Sequence, residues 1–177
     1  YGDDSIDYPL RVEEISKVAQ FLRKKSDDPF ESSKNLILLG DFNIFSPEDV
    51  TMQAILNAGF IVPEELQNLP SNIARNKFYD QIAFRVRPDR FGTTGRAGVF
   101  DFFDLVFRED EESIYALEMG PGYEVNSKGQ PRTDKEKSRY YRDWRTHQMS
   151  DHLPMWVELR IDFSDEYLQR LLEPETV

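Results

Sequence analysis

The chain contains no cysteine. Disulfides, thiol catalysis and cysteine-ligated zinc or iron–sulfur sites are therefore excluded, and a reducing compartment is compatible with the sequence without being required by it. Long apolar runs are missing too: none approaches the ~20 residues of a transmembrane helix. Basic residues are outnumbered, 22 Lys and Arg against 33 Asp and Glu, giving a formal net charge of −11. That balance argues against holding nucleic acid mainly on a basic face, because such binding relies on Lys and Arg neutralising phosphates. It leaves open an enzyme that meets phosphates through a metal ion, and it serves solubility equally well. The opening YGDDSIDYP has neither a basic n-region nor an apolar h-region, so no signal peptide is visible. It also lacks an initiator methionine, which suggests a fragment or a processed chain.

What is present suits one soluble α/β domain: 177 residues, 39% hydrophobic and 31% charged. After the polar opening, RVEEISKVAQFLRKK places Val12, Ile15, Val18, Ala19 and Leu22 on one helical face, and SDDPFESS ends the helix. NLILLGDFN is a continuous apolar run, which predicts a strand buried on both faces. Ser46 offers a helix N-cap, with Pro47 at the first helical position and Glu48 and Asp49 at the positive helix end. That helix is expected to reach about Ala58, with Gly59 terminating it. FYDQIAFRV reads as a strand and GVFDFFDLVF as a second strand or a strand with a turn, while RPDRFGTTGRAG between them reads as a mobile loop. Residues 120–140 read as a long exposed loop. LPMWVELRIDF alternates, with Met155, Val157, Leu159 and Ile161 on one face, and Trp156, Glu158, Arg160 and Asp162 on the other. Ser164 caps a final helix, DEYLQRLLE, which Pro174 follows.

In such a layered fold the polar residues of interest fall at strand ends. Asp41 and Asn43 close one strand, Asp80 opens QIAF, and Asp151 and His152 open PMWVEL. If the first strand runs antiparallel to the other two, all five groups meet on one rim. Such a rim supports metal-assisted attack on a phosphate ester. A hard divalent cation takes carboxylate oxygens, which Asp41 and Asp151 supply. Asn43 can donate to a phosphate oxygen or to the attacking water. His152 can move a proton near neutral pH, and a carboxylate such as Asp80 on its other ring nitrogen would fix its tautomer.

GDFN at 40–43, YDQIAF at 79–84 and SDHLPMWVEL at 150–159, in that order, resemble the last three signature blocks of the endonuclease/exonuclease/phosphatase superfamily, the deoxyribonuclease I-like fold. The resemblance implies half of a four-layer α/β sandwich, with a mostly antiparallel or mixed sheet flanked by helices. It implies that Asp41 and Asn43 contact the phosphate and the nucleophile, that Asp80 hydrogen-bonds the catalytic imidazole, that Asp151 lies near or on the metal, and that His152 is the acid–base group. It further implies that residues 1–177 form a single-domain fragment, the C-terminal portion of the family domain. A metal-binding Glu and a second His would then lie in an N-terminal half outside this chain, and the fragment alone would be inactive.

The activity so implied is that of a Mg²⁺- or Mn²⁺-dependent hydrolase, a nuclease first, because YDQI and GVFDFF lean toward the deoxyribonuclease branch. Alternatives are a phosphatase or phosphodiesterase acting on inositol phosphates or phospholipid headgroups, and a catalytically silent interaction module of the same fold. Nucleic acid is the expected substrate; a compartment is not indicated. Asp101 and Asp104 are expected to be structural and His147 to lie on the surface. Tyr140, Tyr141 and Trp144, interleaved with Arg139, Arg142 and Arg145, form either a substrate-contacting stretch or a loop anchored on the core. Arg90 and Arg96 are weaker substrate-binding candidates.

Overall fold

The computed structural model describes residues 4–32, 34–87 and 91–172; Arg90 and Pro174 lie outside them. In chain order the described residues form helix α1 (Asp4–Asp27), strand β1 (Leu36–Asp41), helix α2 (Val50–Asn57), strands β2 (Asp80–Arg85) and β3 (Gly92–Val99), helices α3 (Ala116–Met119), α4 (Pro121–Glu124) and α5 (Asp134–Gln148), strand β4 (Met155–Arg160) and helix α6 (Ser164–Leu172). The architecture is mixed α/β, with two two-stranded antiparallel sheets, β1–β2 and β3–β4, among the described residues. The chain divides into two compact units: one runs up to Val99 and resumes at Met155, and the other is Phe100–Pro154. No helix among the described residues is long and apolar enough to cross a membrane.

The first unit is built around Ile15 and Ala19 of α1, Leu38 of β1, Met52 and Ile55 of α2, Phe60, and Ala83 of β2, with Ala97, Met155 and Val157 packed against them. Fully burying an Ile, Leu or Phe contributes about 1.5–3 kcal/mol, so these contacts order the unit. Helix α1 buries Ile15, Ala19 and Ser26, with Leu22 packed on the same core. Val18, expected on that face, is half exposed, and the helix reaches back through Pro9 into the polar opening stretch.

Strand β1 differs from expectation more sharply. Its apolar run is covered on one face only: Leu38 is buried, whereas Ile37 and Leu39 are 41% and 66% exposed. A continuous apolar run permits burial on both faces without requiring it. Helix α2 begins at Val50 instead of at Pro47, because the Asp49 carboxylate accepts from the N–H groups of Phe45 (2.8 Å) and Ser46 (3.1 Å) and from the Ser46 hydroxyl (3.2 Å). These bonds hold residues 45–49 as a turn. Gly59 ends the helix as expected, with φ +80°.

Strand β3 occupies the Gly/Thr stretch expected to be a mobile loop. Its register with β4 shifts between Thr93 and Ala97. Gly98 is required where the strands meet: a Cβ there would lie 2.8 Å from the Trp156 indole nitrogen. GVFDFFDLVF is not a strand beyond Val99; a 3₁₀ turn, Phe102–Asp104, follows, with Asp101 accepting from the Phe103 N–H (3.0 Å). Strand β4 turns Met155 and Val157 into the core as the alternation predicts, but Ile161 lies past its end and is exposed. Helix α6 starts at Ser164, whose N–H (3.0 Å) and hydroxyl (2.6 Å) donate to Asp162.

The second unit overturns the expected loop at 120–140. Helix α4 is followed by a bridge between Val125 and Pro131, and α5 starts at Asp134. Thr133 and Glu136 close α5 with a capping box, the hydroxyl accepting from the Glu136 N–H and the carboxylate accepting from the Thr133 N–H (2.8 Å). Met119, Tyr123 and Tyr141 form the core. Glu112 accepts from the Tyr123 hydroxyl (2.7 Å) and the Ser138 hydroxyl (2.8 Å); this bond to a carboxylate, with burial, pushes Tyr123 up to about 12. Tyr141 donates to the Arg108 carbonyl (2.9 Å), and burial pushes it up to about 12.

Candidate active site

Antiparallel pairing of β1 and β2 sets Asp41 directly opposite Asp80, and a carboxylate oxygen of each lies within 4.8 Å of the other. The pairing does not fray there. The Phe42 N–H donates to the Tyr79 carbonyl (2.8 Å) and the Phe78 N–H to the Ile44 carbonyl (3.0 Å), so both carboxylates stand on a hydrogen-bonded ladder. Asn43 adopts φ +52°, a left-handed conformation that Asn tolerates better than most residues. Its main-chain N–H donates to Asp41 Oδ1 (2.9 Å), an Asx turn that fixes the acid against the backbone of Asn43.

Asp80 is held by a residue that sequence reasoning missed. Ser71 is fully buried; its hydroxyl donates to Asp80 Oδ2 (2.6 Å) and accepts from the Asp80 N–H (3.0 Å). Ser71 is delivered by a loop folded on Asn72, whose Oδ1 accepts from the N–H groups of Asn76 and Lys77 (both 2.9 Å). The neighbouring Gln81 is buried and donates to the Phe78 carbonyl (2.9 Å), while its Oε1 has no hydrogen-bond partner among the described residues.

Like charges directly opposite on a strand pair are destabilising. The Asp41–Asp80 pair is therefore not explained by sheet stability; a hard divalent cation takes carboxylate oxygens, which Asp41 can supply, while Asp80 Oδ2 is engaged by Ser71. Beside Asp41 opens a cleft of about 360 Å³, walled by Leu10, Arg11, Glu14 and Ile15 of α1 and by Asp41, Phe42 and Asn43.

The other candidates fall as follows. Asp151 is exposed and His152 half-buried; both lie at the end of the second unit, and the chain enters β4 three residues after His152, at Met155. The His152 N–H donates to Ser150 Oγ (2.9 Å), and the buried Leu153 follows. Arg96 is an exposed β3 residue whose guanidinium pairs with Glu158 of β4 (3.1 Å). Arg145 is buried in the second unit: it donates to the Phe107 carbonyl (2.8 Å), approaches Glu109 (3.4 Å) and stacks on Phe103 (4.3 Å). With Tyr141 buried and Trp144 packed on Phe107 and Tyr115, this stretch is an anchored helix face. His147 is exposed near the end of α5, and Asp101 caps its 3₁₀ turn.

Compared with protein-family models, curated proteins and solved structures, the chain matches none.

Proposed function

We propose that the chain carries part of the active site of a metal-dependent phosphoesterase that hydrolyses phosphodiester bonds of nucleic acid by in-line attack of water. The observation that carries it is the facing Asp41–Asp80 pair with Asn43 locked to Asp41 by an Asx turn. The ordered GDFN, YDQIAF and SDHLPMWVEL blocks add the resemblance to the endonuclease/exonuclease/phosphatase superfamily, and with it the four-layer sandwich as the complete fold.

A bound Mg²⁺ or Mn²⁺ would supply charge stabilisation at the phosphoryl oxygens, and Asp41, with Asp151 in the role the resemblance gives it, would hold it. Asn43 donates its side-chain N–H to a phosphate oxygen or holds the water. The water oxygen bonds to phosphorus as the bond from phosphorus to the leaving oxygen breaks; the water gives up a proton and the leaving oxygen gains one. His152 is the group suited to move a proton in this exchange near neutral pH. Asp80, in the role the resemblance gives it, orients the imidazole, and Ser71 holds Asp80.

The test is hydrolysis by the full-length protein across DNA, RNA and inositol phosphates, with Mg²⁺ and with a chelator. Metal-dependent cleavage of DNA or RNA is the expected result. Cleavage confined to inositol phosphates would replace the nuclease with a phosphatase, and no hydrolysis of any of them, with Mn²⁺ failing to bind, would leave an interaction module.

A further inference from the structure

Among the described residues the cleft beside Asp41 has one basic group, Arg11, and one of its nitrogens is unsatisfied. Arg11 stands on α1, and its Nη1 is buried with no hydrogen-bond partner among the described residues. Its side chain lines the same cleft of about 360 Å³ as Asp41, Phe42 and Asn43. A buried donor left without an acceptor carries its full desolvation penalty, so native structures rarely keep one idle. Arg85 in the same unit shows the ordinary outcome: it donates to Ser26 Oγ (2.7 Å), to the Gly59 carbonyl (3.3 Å) and to Asp27.

We propose that Arg11 is the anion-binding residue of this cleft and that its guanidinium receives a phosphate group of the substrate handled at Asp41 and Asn43. The proposal rests on the phosphoesterase reading for the identity of the anion. A guanidinium suits the task because its planar fork matches two oxygens of a phosphate and it is more weakly hydrated than an ammonium. Leu10, Ile15 and Phe42 give the cleft apolar walls beside the guanidinium. The volume sits at the small end of ligand sites, roughly 300–1,000 Å³, and fits a single phosphate-bearing unit better than a duplex. Glu14 and Asp41 line the cleft as well, so an anion is expected to enter together with a divalent cation.

The test is titration of the ¹⁵N-labelled chain with inorganic phosphate in the presence of Mg²⁺, read by NMR at the Arg11 Nε–H and the amides of Phe42 and Asn43. Saturable shifts at these groups are expected, with binding at least ~10-fold weaker in Arg11→Gln, intermediate in Arg11→Lys and several-fold tighter in Glu14→Gln. Shifts confined to other residues, or unchanged affinity in Arg11→Gln, would overturn the proposal. If Arg11→Gln does not fold, an unchanged affinity in Glu14→Gln does so instead. A dinucleotide with and without a 5′-phosphate separates the sources: dependence on the 5′-phosphate assigns a terminal monoester, equal binding assigns the backbone diester, and binding of neither speaks against the site. Phosphate bound at Arg11 in a full-length protein that hydrolyses no ester would remove the hydrolase and keep the anion site. Ester hydrolysis with KM and phosphate affinity indifferent to Arg11→Gln would do the reverse.

Discussion

Asp41 sits opposite another carboxylate on a rigid ladder, where a neutral residue would serve the sheet better. Asp41→Asn keeps an oxygen to accept from the Asn43 N–H and removes the repulsion. The metal-free variant is therefore expected to be more stable than the wild type by about 0.5 kcal/mol, while Mg²⁺ stabilises the wild type and not the variant. Thermal melts with a chelator and with Mg²⁺ check both halves; equal stabilisation by Mg²⁺ would remove Asp41 from the metal's ligands. At this scale the sequence was a partial guide. Asp41, Asn43 and Asp80 were legible because carboxylates and an amide at strand ends are chemically conspicuous. Ser71 was not, because nothing in PSN ties its hydroxyl to an acid nine residues on; only the folded loop on Asn72 does. Arg11 was hidden by lying within a stretch read as an amphipathic helix, where a charged residue is ordinarily solvated.

Among the elements, α5 carries the clearest local signal. Thr133 and Glu136 satisfy each other's backbone donors, so Thr133→Ala is expected to cost the second unit about 1 kcal/mol in urea unfolding. The Glu136 carboxyl is held below its ordinary value of 4.5 by the Thr133 N–H and then by the Thr133 hydroxyl. A folded value below the unfolded one means that its contribution is present above pH 4.5 and is lost as pH falls through the folded value. The T-x-x-E signature was available in the sequence, yet the Gly, Pro and charged residues around it outweighed it. The same weighting hid β3, where Gly92, Gly95 and Gly98 read as loop although Gly98 is there to admit Trp156. The alternating pattern of β4 was legible because period-two spacing reports directly on sheet geometry. Strand pairing was not, for β1 was only supposed antiparallel to both later strands, and among the described residues β1 pairs with β2 while β4 pairs with β3. The expected burial of β1 on both faces did not hold, since what covers a strand depends on packing far away in the sequence.

For the whole molecule, the second unit carries a built-in response to alkali. Tyr123 and Tyr141, both in the second unit, are pushed up to about 12 from an ordinary 10.0. Because the folded form holds these protons more tightly, the stability they contribute is full below pH 10.0 and is lost as pH rises toward about 12. The second unit is expected to open in that window, with tyrosinate absorbance rising together with loss of α5 amide protection. Ionisation of both tyrosines near pH 10.0 with no unfolding would contradict their burial against Glu112 and the core.

The phosphoesterase proposal is tested most directly by nicking of supercoiled plasmid DNA by the full-length protein in Mg²⁺, beside His152→Ala. Cleavage that requires the metal and falls at least ~100-fold in the variant is the expected result. Cleavage that survives the substitution undiminished, or an intact protein that leaves the plasmid uncut with the metal present, would contradict it.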